Sequence, residues 1–201
     1  MPNTTTIEQV KTSQMGEENP KSGQLVVLSG PAGVGKDTVL NRWCERNPKI
    51  KRVVTYTTRD PRPNETNGVE YHFVTKEKFL ELAADNFFLE HNEYNGNFYG
   101  TPLHDINNLL AEGYHAVLKI EVKGAADARA LRPDALLIFL LPPSLEVLEQ
   151  RIRNRGTETK EVQDQRLAIA ISEIERAKDY DVQVVNDDLE VCVSELDKIL
   201  S

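Results

Sequence analysis

The sequence predicts an α/β protein, a parallel sheet flanked by helices, with an inserted lobe of mixed strands and a helical lid. Three observations carry that expectation. Short apolar runs alternate with helical patterns from residue 24 onward, as in a parallel sheet whose crossovers are helices. A block at about 55–100 has strand-turn-strand character and interrupts the alternation. A Gly-broken, arginine-bearing stretch at about 150–166 lies between two late helical patterns and suits a mobile lid.

Residues 1–23 hold only four large apolar side chains, Met1, Ile7, Val10 and Met15. They are expected to form a mobile polar tail with no signal-peptide core. Residues 24–29 (QLVVLS) form a short apolar run typical of a strand buried on both faces. A Gly-rich turn follows, then a helix over about 36–45 carrying Val39, Leu40 and Trp43. Strands are predicted at 52–56 and 70–74, with a short helix over 76–83 between them and the next pair. Residues 87–94 and 97–100 flank Asn95-Gly96, a hairpin signal.

A helix over 102–112 ends at Gly113, a strand spans 115–121, and a short helix covers 125–131. Residues 135–141 (ALLIFLL) are the most apolar strand, stopped by Pro142-Pro143. Ser144 is a good N-cap for a helix with Leu145, Leu148 and Ile152 on one face. Arg155-Gly156-Thr157 breaks it, and a helix over about 161–178 aligns Leu167, Ala170, Ile171 and Ile174. A strand at 181–185 and a helix aligning Leu189, Cys192, Leu196 and Ile199 complete the chain. The expectation is one domain over 24–201, with its core in 24–54 and 102–201 and the inserted lobe in 55–101.

Composition excludes several classes. With 201 residues, 39% hydrophobic and 28% charged, the chain is an ordinary globular domain. No apolar run approaches the ~20 residues of a membrane span. Cys44 and Cys192 form no CxxC pair; they read as two buried thiols in a reducing, cytoplasmic compartment. The four histidines, His72, His91, His104 and His115, lack HxxxH spacing and read as structural. A net charge of −8, from 24 basic and 32 acidic residues, is wrong for wrapping duplex nucleic acid. Against that background Arg59 and Arg62 cluster, as do Arg151, Arg153, Arg155 and Arg166. Local positive sites on an acidic chain point to small anionic ligands.

The strongest motif is Gly30-Pro31-Ala32-Gly33-Val34-Gly35-Lys36-Asp37-Thr38, a GxxxxGK loop between the first strand and the first helix. Its glycines let successive N–H groups curl around phosphate oxygens, the helix N-terminus adds partial positive charge, and Lys36 bridges the terminal phosphates. The predicted core is therefore a P-loop parallel sheet that binds a nucleoside triphosphate. The residue after the loop lysine is normally Ser or Thr, a Mg²⁺ ligand; here it is Asp37, which is also a hard oxygen donor.

A second motif concerns the acceptor. Arg59 and Arg62 stand three apart, braced by Pro61 and Pro63, and could grip a phosphate bidentately. Glu90, Tyr99 and Thr101 then supply a carboxylate, a phenol and a hydroxyl. A carboxylate accepting two N–H groups suits the N1/N2 edge of guanine.

At LSGPAGVGKDT, TTRDPRPNETNGVEYHFV, NGNFYGT, LPPS, RNRGTE and VVNDDL the chain resembles the guanylate kinase family over about residues 24–200. The resemblance implies phosphorylation of GMP, and of dGMP, by ATP with Mg²⁺, in purine nucleotide metabolism. It implies a GMP phosphate held by Arg59, Arg62 and Tyr71 with Tyr99 beside it, and guanine surrounded by Thr55, Glu90, Thr101 and Glu121. Arg155 and Arg166 match lid arginines closing over the ATP phosphates, Arg151 lies on the adenine side, and Asn186 matches a loop residue bordering adenine. Lys36, Arg59, Arg155 and Arg166 are then the catalytic set. ATP, GMP and dGMP are the expected partners, with no nucleic acid or membrane, for a monomer or homodimer.

Against the family pattern, Ala32 replaces a frequent serine, Asn64 a frequent glycine, and Glu121 a common Asp. Lys119 stands where most members carry an acid. Strand ends converge beside the loop in such sheets, so Asp37 and Lys119 are expected as neighbours, with the acidic group moved across the site. Asp37 would bear on Mg²⁺, directly or through water, and Lys119 would offset its charge. Two other readings remain open here. One is a non-catalytic guanylate-kinase-like interaction module; the other is a P-loop kinase of phosphorylated sugars such as a ribose bisphosphate phosphokinase, whose members also carry Asp after the loop lysine.

Overall fold

The computed structural model describes residues 23–63, 65–94, 96–154 and 159–200. Residues 1–22 of the tail expected over 1–23, Asn64, Asn95 of the hairpin turn and Arg155 of the lid lie outside the described residues.

Strand β1 (Leu25–Ser29) is buried along its whole length. Because side chains alternate faces at a period of two, Val26 and Leu28 enter one hydrophobic layer and Leu25 and Val27 the other. That two-sided burial is why QLVVLS shows no polar alternation. Helix α1 (Lys36–Arg46) follows, then β2 (Ile50–Arg52). Strand β7 (His115–Lys119), helix α4 (Val122–Leu131), strand β8 (Leu136–Leu141) and strand β9 (Val182–Val185) supply the rest of the main sheet and one crossover. Its five strands run in the order β2-β7-β1-β8-β9, parallel throughout.

The first layer packs Val39, Leu40 and Trp43 of α1 against Cys192, Val193 and Leu196 of α7 (Leu189–Ile199). Trp43 satisfies its indole N–H on Asp197, 2.8 Å away, so its burial leaves no orphan donor. The opposite layer packs Ile106 of α3 (Leu103–Ala111) with Ala125 and Ala128 of α4. The first layer was legible from the apolar spacing of α1 and α7. Of the two cysteines, Cys192 is buried and Cys44 only half-buried.

The second sheet holds β3 (Tyr56–Thr57), β4 (His72–Phe73), β5 (Phe88–Tyr94) and β6 (Asn97–Pro102) in the order β4-β3-β6-β5. It is mixed: β3 and β4 are parallel and the other pairings antiparallel. Phe79 of α2 (Lys76–Ala84) stacks on Phe88 at 4.6 Å and on Phe98 at 5.5 Å, giving this sheet its own core.

Two expectations need correction. The strand predicted over 52–56 divides between the sheets: Arg52 ends β2 and Tyr56 opens β3. Val53 still donates to the Val117 carbonyl at 2.9 Å, after which the chain leaves for the second sheet. The run RVVTY is uniformly strand-forming, so tertiary pairing alone makes the break. Likewise, in α6 (Lys160–Glu175), Ala170 is buried with Leu167 and Ile174 packed beside it, whereas Ile171 is exposed.

Helix α5 (Leu145–Arg153) packs Leu148 and Ile152 on that cluster, leaving Leu145 exposed. Its cap is as expected: Ser144 Oγ accepts from the Val147 N–H at 3.3 Å. Ser144→Ala should lower unfolding free energy by about 1 kcal/mol, as for other N-cap hydroxyl deletions. A urea titration reading a shifted midpoint at unchanged slope checks this.

Candidate active site

The phosphate loop is fixed from both ends. Ser29 Oγ donates to the Ile120 carbonyl at 2.8 Å, tying the end of β1 to the chain just beyond β7. Gly35 adopts φ +98°, and a Cβ there would lie 2.7 Å from Asn186 Nδ2. Any other residue would therefore meet both strain and a clash. Lys36 Nζ donates to the carbonyls of Gly30 at 2.5 Å and Pro31 at 3.2 Å, so its charge sits at the loop's mouth.

Arg151 and Asn186 both contact the backbone of the loop. Asn186 Nδ2 donates to the Val34 carbonyl at 2.7 Å. Arg151 Nη1 reaches the Val34 and Asn186 carbonyls, both at 3.3 Å. Val34 itself is fully buried in the core. These residues brace the loop, and neither they nor Gly30 and Val34 line the cleft beside it.

That cleft, about 300 Å³, lies between the loop and the second sheet. The loop side contributes Pro31, Ala32, Gly33, Gly35, Lys36, Asp37 and Thr38; the facing side contributes Thr55, Arg59, Arg62, Tyr71, Glu90, Tyr99 and Thr101. Glu121, just beyond β7, and Arg166 of α6 close it. Residues that are scattered from 31 to 166 in the chain thus share one cavity.

On the facing wall Glu65 organises the arginine pair. Its carboxylate oxygens both accept from Arg59 Nη2 at 2.9 Å, and Oε2 accepts from the Arg62 backbone N–H at 2.7 Å. Burial, the largest single influence, disfavours the Glu65 anion, but the Arg62 and Arg59 donors together outweigh it and hold its carboxyl below the ordinary Glu value. Arg59 also lies 5.5 Å over the Tyr71 ring, and Tyr71 packs edge-on to Tyr99 at 6.1 Å. Burial pushes the Tyr71 phenol up to about 12, so it remains a proton donor at neutral pH.

Deeper in, Glu90 is 9% exposed. Thr101 Oγ1 donates to its Oε1 at 2.5 Å and Asn92 Nδ2 to its Oε2 at 3.1 Å. Asn92 is held in turn by Asp127, whose Oδ2 accepts from the same nitrogen at 2.9 Å. Burial raises the Glu90 carboxyl above its ordinary value, and the two hydrogen bonds oppose that shift. Each carboxylate oxygen retains a lone pair for a further donor.

The expected neighbours at the end of β7 are in contact: Lys119 Nζ lies 2.5 Å from Asp37 Oδ1. The same oxygen accepts from Arg52 Nη2 at 2.8 Å. Burial raises the Asp37 carboxyl, but the two cations outweigh it and hold the group below the ordinary Asp value. On α6, burial and then the Glu121 carboxylate beside it push Glu173 up to about 7. Glu65, Asn92, Asp127, Arg52 and Glu173 were all missed in the sequence. Only Glu65 carries a local signal, an acid six residues from Arg59 inside the Pro-braced segment.

A parallel α/β sheet with a phosphate-cradling loop, facing arginines, phenols and a buried carboxylate across one cleft, defines a P-loop phosphotransferase. Comparison narrows the class. The family model described as guanylate kinase matches residues 22–201. A guanylate kinase of Trichormus variabilis is 47% identical over 184 residues, covering 92% of each chain. One from Neisseria gonorrhoeae is 44% identical, covering 88% of this chain and 86% of that one. The crystal structure of guanylate kinase from Anaplasma phagocytophilum superposes with a TM-score of 0.74 at 33% identity, covering 90% of this chain and 85% of that one. The chain belongs to the guanylate kinase family and is an enzyme, a nucleotide-binding kinase. Among the described residues no helix is long and apolar enough to cross a membrane.

Proposed function

We propose that this chain transfers the terminal phosphoryl group of MgATP to the phosphate of GMP, and of dGMP, giving ADP and the corresponding diphosphate. The reaction would serve purine nucleotide metabolism in the cytoplasm, the protein acting as a monomer or homodimer. One observation carries the reading: the phosphate loop and the Glu90 carboxylate, joined by the Arg59/Arg62 wall, line a single cleft.

Transfer between two phosphates asks for positioning and charge neutralisation more than covalent chemistry. Lys36 and the loop amides hold the donor phosphates. Arg59 and Arg62 hold the acceptor phosphate, with Tyr71 and Tyr99 donating from the same wall. Glu90, with Thr101, Thr55 and Glu121, accepts from guanine N1–H and N2–H₂. Arg166 and Arg155 close over the transferring group and exclude water, which would otherwise compete as acceptor. Arg151 and Asn186 act on ATP by holding the loop carbonyl beside the donor site. No general base is required, because the acceptor phosphate oxygen is already anionic.

For the metal, the donor set decides. Among the described residues no group of three His, Cys, Asp or Glu could hold an ion by itself. Mg²⁺ is commonly bound by one or two carboxylates plus substrate phosphates, and Asp37 is the one carboxylate in the loop segment 30–37. Lys119 and Arg52 both take Asp37 Oδ1, which leaves Oδ2 to face, directly or through water, an ion carried in by ATP. When bound, the ion would neutralise negative charge that builds up on the phosphates during transfer.

Base selectivity tests the reading. Adenine presents an unprotonated N1 where guanine presents a donor, and an unpaired buried carboxylate costs about 1–3 kcal/mol. GMP should therefore bind about tenfold to a hundredfold more tightly than AMP. Glu90→Gln should weaken GMP by about tenfold and change ATP by less than about twofold. Calorimetric titration of both nucleotides measures this, and equal binding of AMP and GMP by the unmodified protein would overturn the assignment.

A further inference from the structure

We infer that Lys119 is a catalytic residue of this chain, its ammonium contacting the phosphoryl group in transit between the loop and the arginine wall. The inference rests on the phosphoryl-transfer reading above and adds to it a cation that the phosphate-loop motif does not contain.

Its placement is the first observation. Lys119 lines the same cleft as Lys36 and Arg59. Its Nζ lies 2.5 Å from Asp37 Oδ1, at the start of the helix after the loop. The same nitrogen lies 5.3 Å over the ring of Tyr71, on the acceptor wall. One ammonium thus touches both sides of the gap that a phosphoryl group has to cross.

Charge is the second. Arg52 already donates to Asp37 Oδ1 at 2.8 Å, so Asp37 is neutralised without Lys119. Asp37, Arg52 and Lys119 together carry one surplus positive charge, although the Glu121 carboxylate in the same cleft also attracts the Lys119 ammonium. The Lys119 side chain is only 12% exposed, and a lysine kept from water needs anionic partners in proportion to its burial. An ammonium has three donors, and the Asp37 contact uses one. A triphosphate and a monophosphate together bring about six negative charges at neutral pH, each terminal phosphate contributing close to two. They supply partners for the remaining donors.

The alternative is an ion pair that only fastens β7 to α1. The two differ in what they do to a ligand spanning both sites. A positioned cation aimed at the transferring group acts mainly on the state in which donor and acceptor phosphates meet. A fastening pair acts on folding, and on ATP and GMP alike.

The test uses the full chain and a linked inhibitor in which adenosine and guanosine are joined 5′ to 5′ through five phosphates. It is titrated calorimetrically in EDTA beside ATP alone and GMP alone, with Lys119→Met and Lys119→Arg as variants. Lys119→Met should weaken the linked inhibitor by about thirtyfold and each single nucleotide by less than about threefold, as for loss of one charge-assisted contact. Lys119→Arg should recover most of that loss, and kcat should follow the same order. Equal affinity of Lys119→Met and the unmodified protein for the linked inhibitor would overturn the inference, as would equal losses for all three ligands. If Lys119→Met does not fold, Lys119→Gln is read by the same criteria. An unmodified protein that binds the linked inhibitor no better than ATP would instead overturn the phosphoryl-transfer reading itself.

Discussion

Lys36→Met is expected to lower kcat by about 10²–10³-fold, the range found when one preorganised donor to a developing charge is removed. Lys36 Nζ is already fixed at the loop's mouth by the Gly30 and Pro31 carbonyls, so little reorganisation is needed at the moment of transfer. Methionine keeps the apolar stem of the side chain and loses its charged end. The loop should survive the change, because Asn186 and Arg151 hold it through the Val34 carbonyl. GMP affinity should move by less than about threefold, since Arg59 and Arg62 lie on the opposite wall. Single-turnover kinetics with GMP binding measured separately distinguish this from a misfolded loop. A large loss of GMP affinity in Lys36→Met would show that the two walls are not independent.

Arg59→Ala should raise the dissociation constant for GMP by about 10–100-fold, from loss of a charge-assisted contact worth about 1.5–3 kcal/mol. Glu65 holds the guanidinium through two 2.9 Å contacts, and its anion is favoured by that partnership. The arginine is therefore preorganised, and its phosphate contact costs little side-chain entropy. ATP affinity should stay within about twofold, the phosphate loop being on the other wall of the cleft. Glu65→Gln should show a smaller loss in the same direction, because it loosens Arg59 without removing its charge. An Arg59→Ala protein that is unstable yet keeps normal GMP affinity would make Arg59 a structural residue.

Where a contact is local, the sequence shows it. The loop glycines, the Ser144 cap and the apolar spacing in α1 and α7 are written within a few residues of where they act. Asp37 and Lys119 were paired across 82 positions, because strand ends converge beside the loop in this fold. Arg52, which shares the same carboxylate oxygen, was not, since nothing in RVVTY marks where β2 stops. Asn92 and Asp127, 35 positions apart, show their value only once α4 is packed against β5. Glu173 presents an ordinary helical acid in sequence; its position against Glu121 comes from α6 crossing the cleft. For Arg151 and Asn186 the resemblance carries no direction for the side chains, which point at the loop's backbone.

The central claim is that this cleft moves a phosphoryl group from ATP to GMP. An ADP-release assay with GMP, dGMP, AMP and ribose bisphosphate as acceptors tests it most directly. The expected result is ADP release with GMP and dGMP, and at least about tenfold less with AMP, from the unpaired Glu90 carboxylate. Ribose bisphosphate should give only the background of ATP hydrolysis. Equal turnover of AMP and GMP, or a preference for ribose bisphosphate, would contradict it.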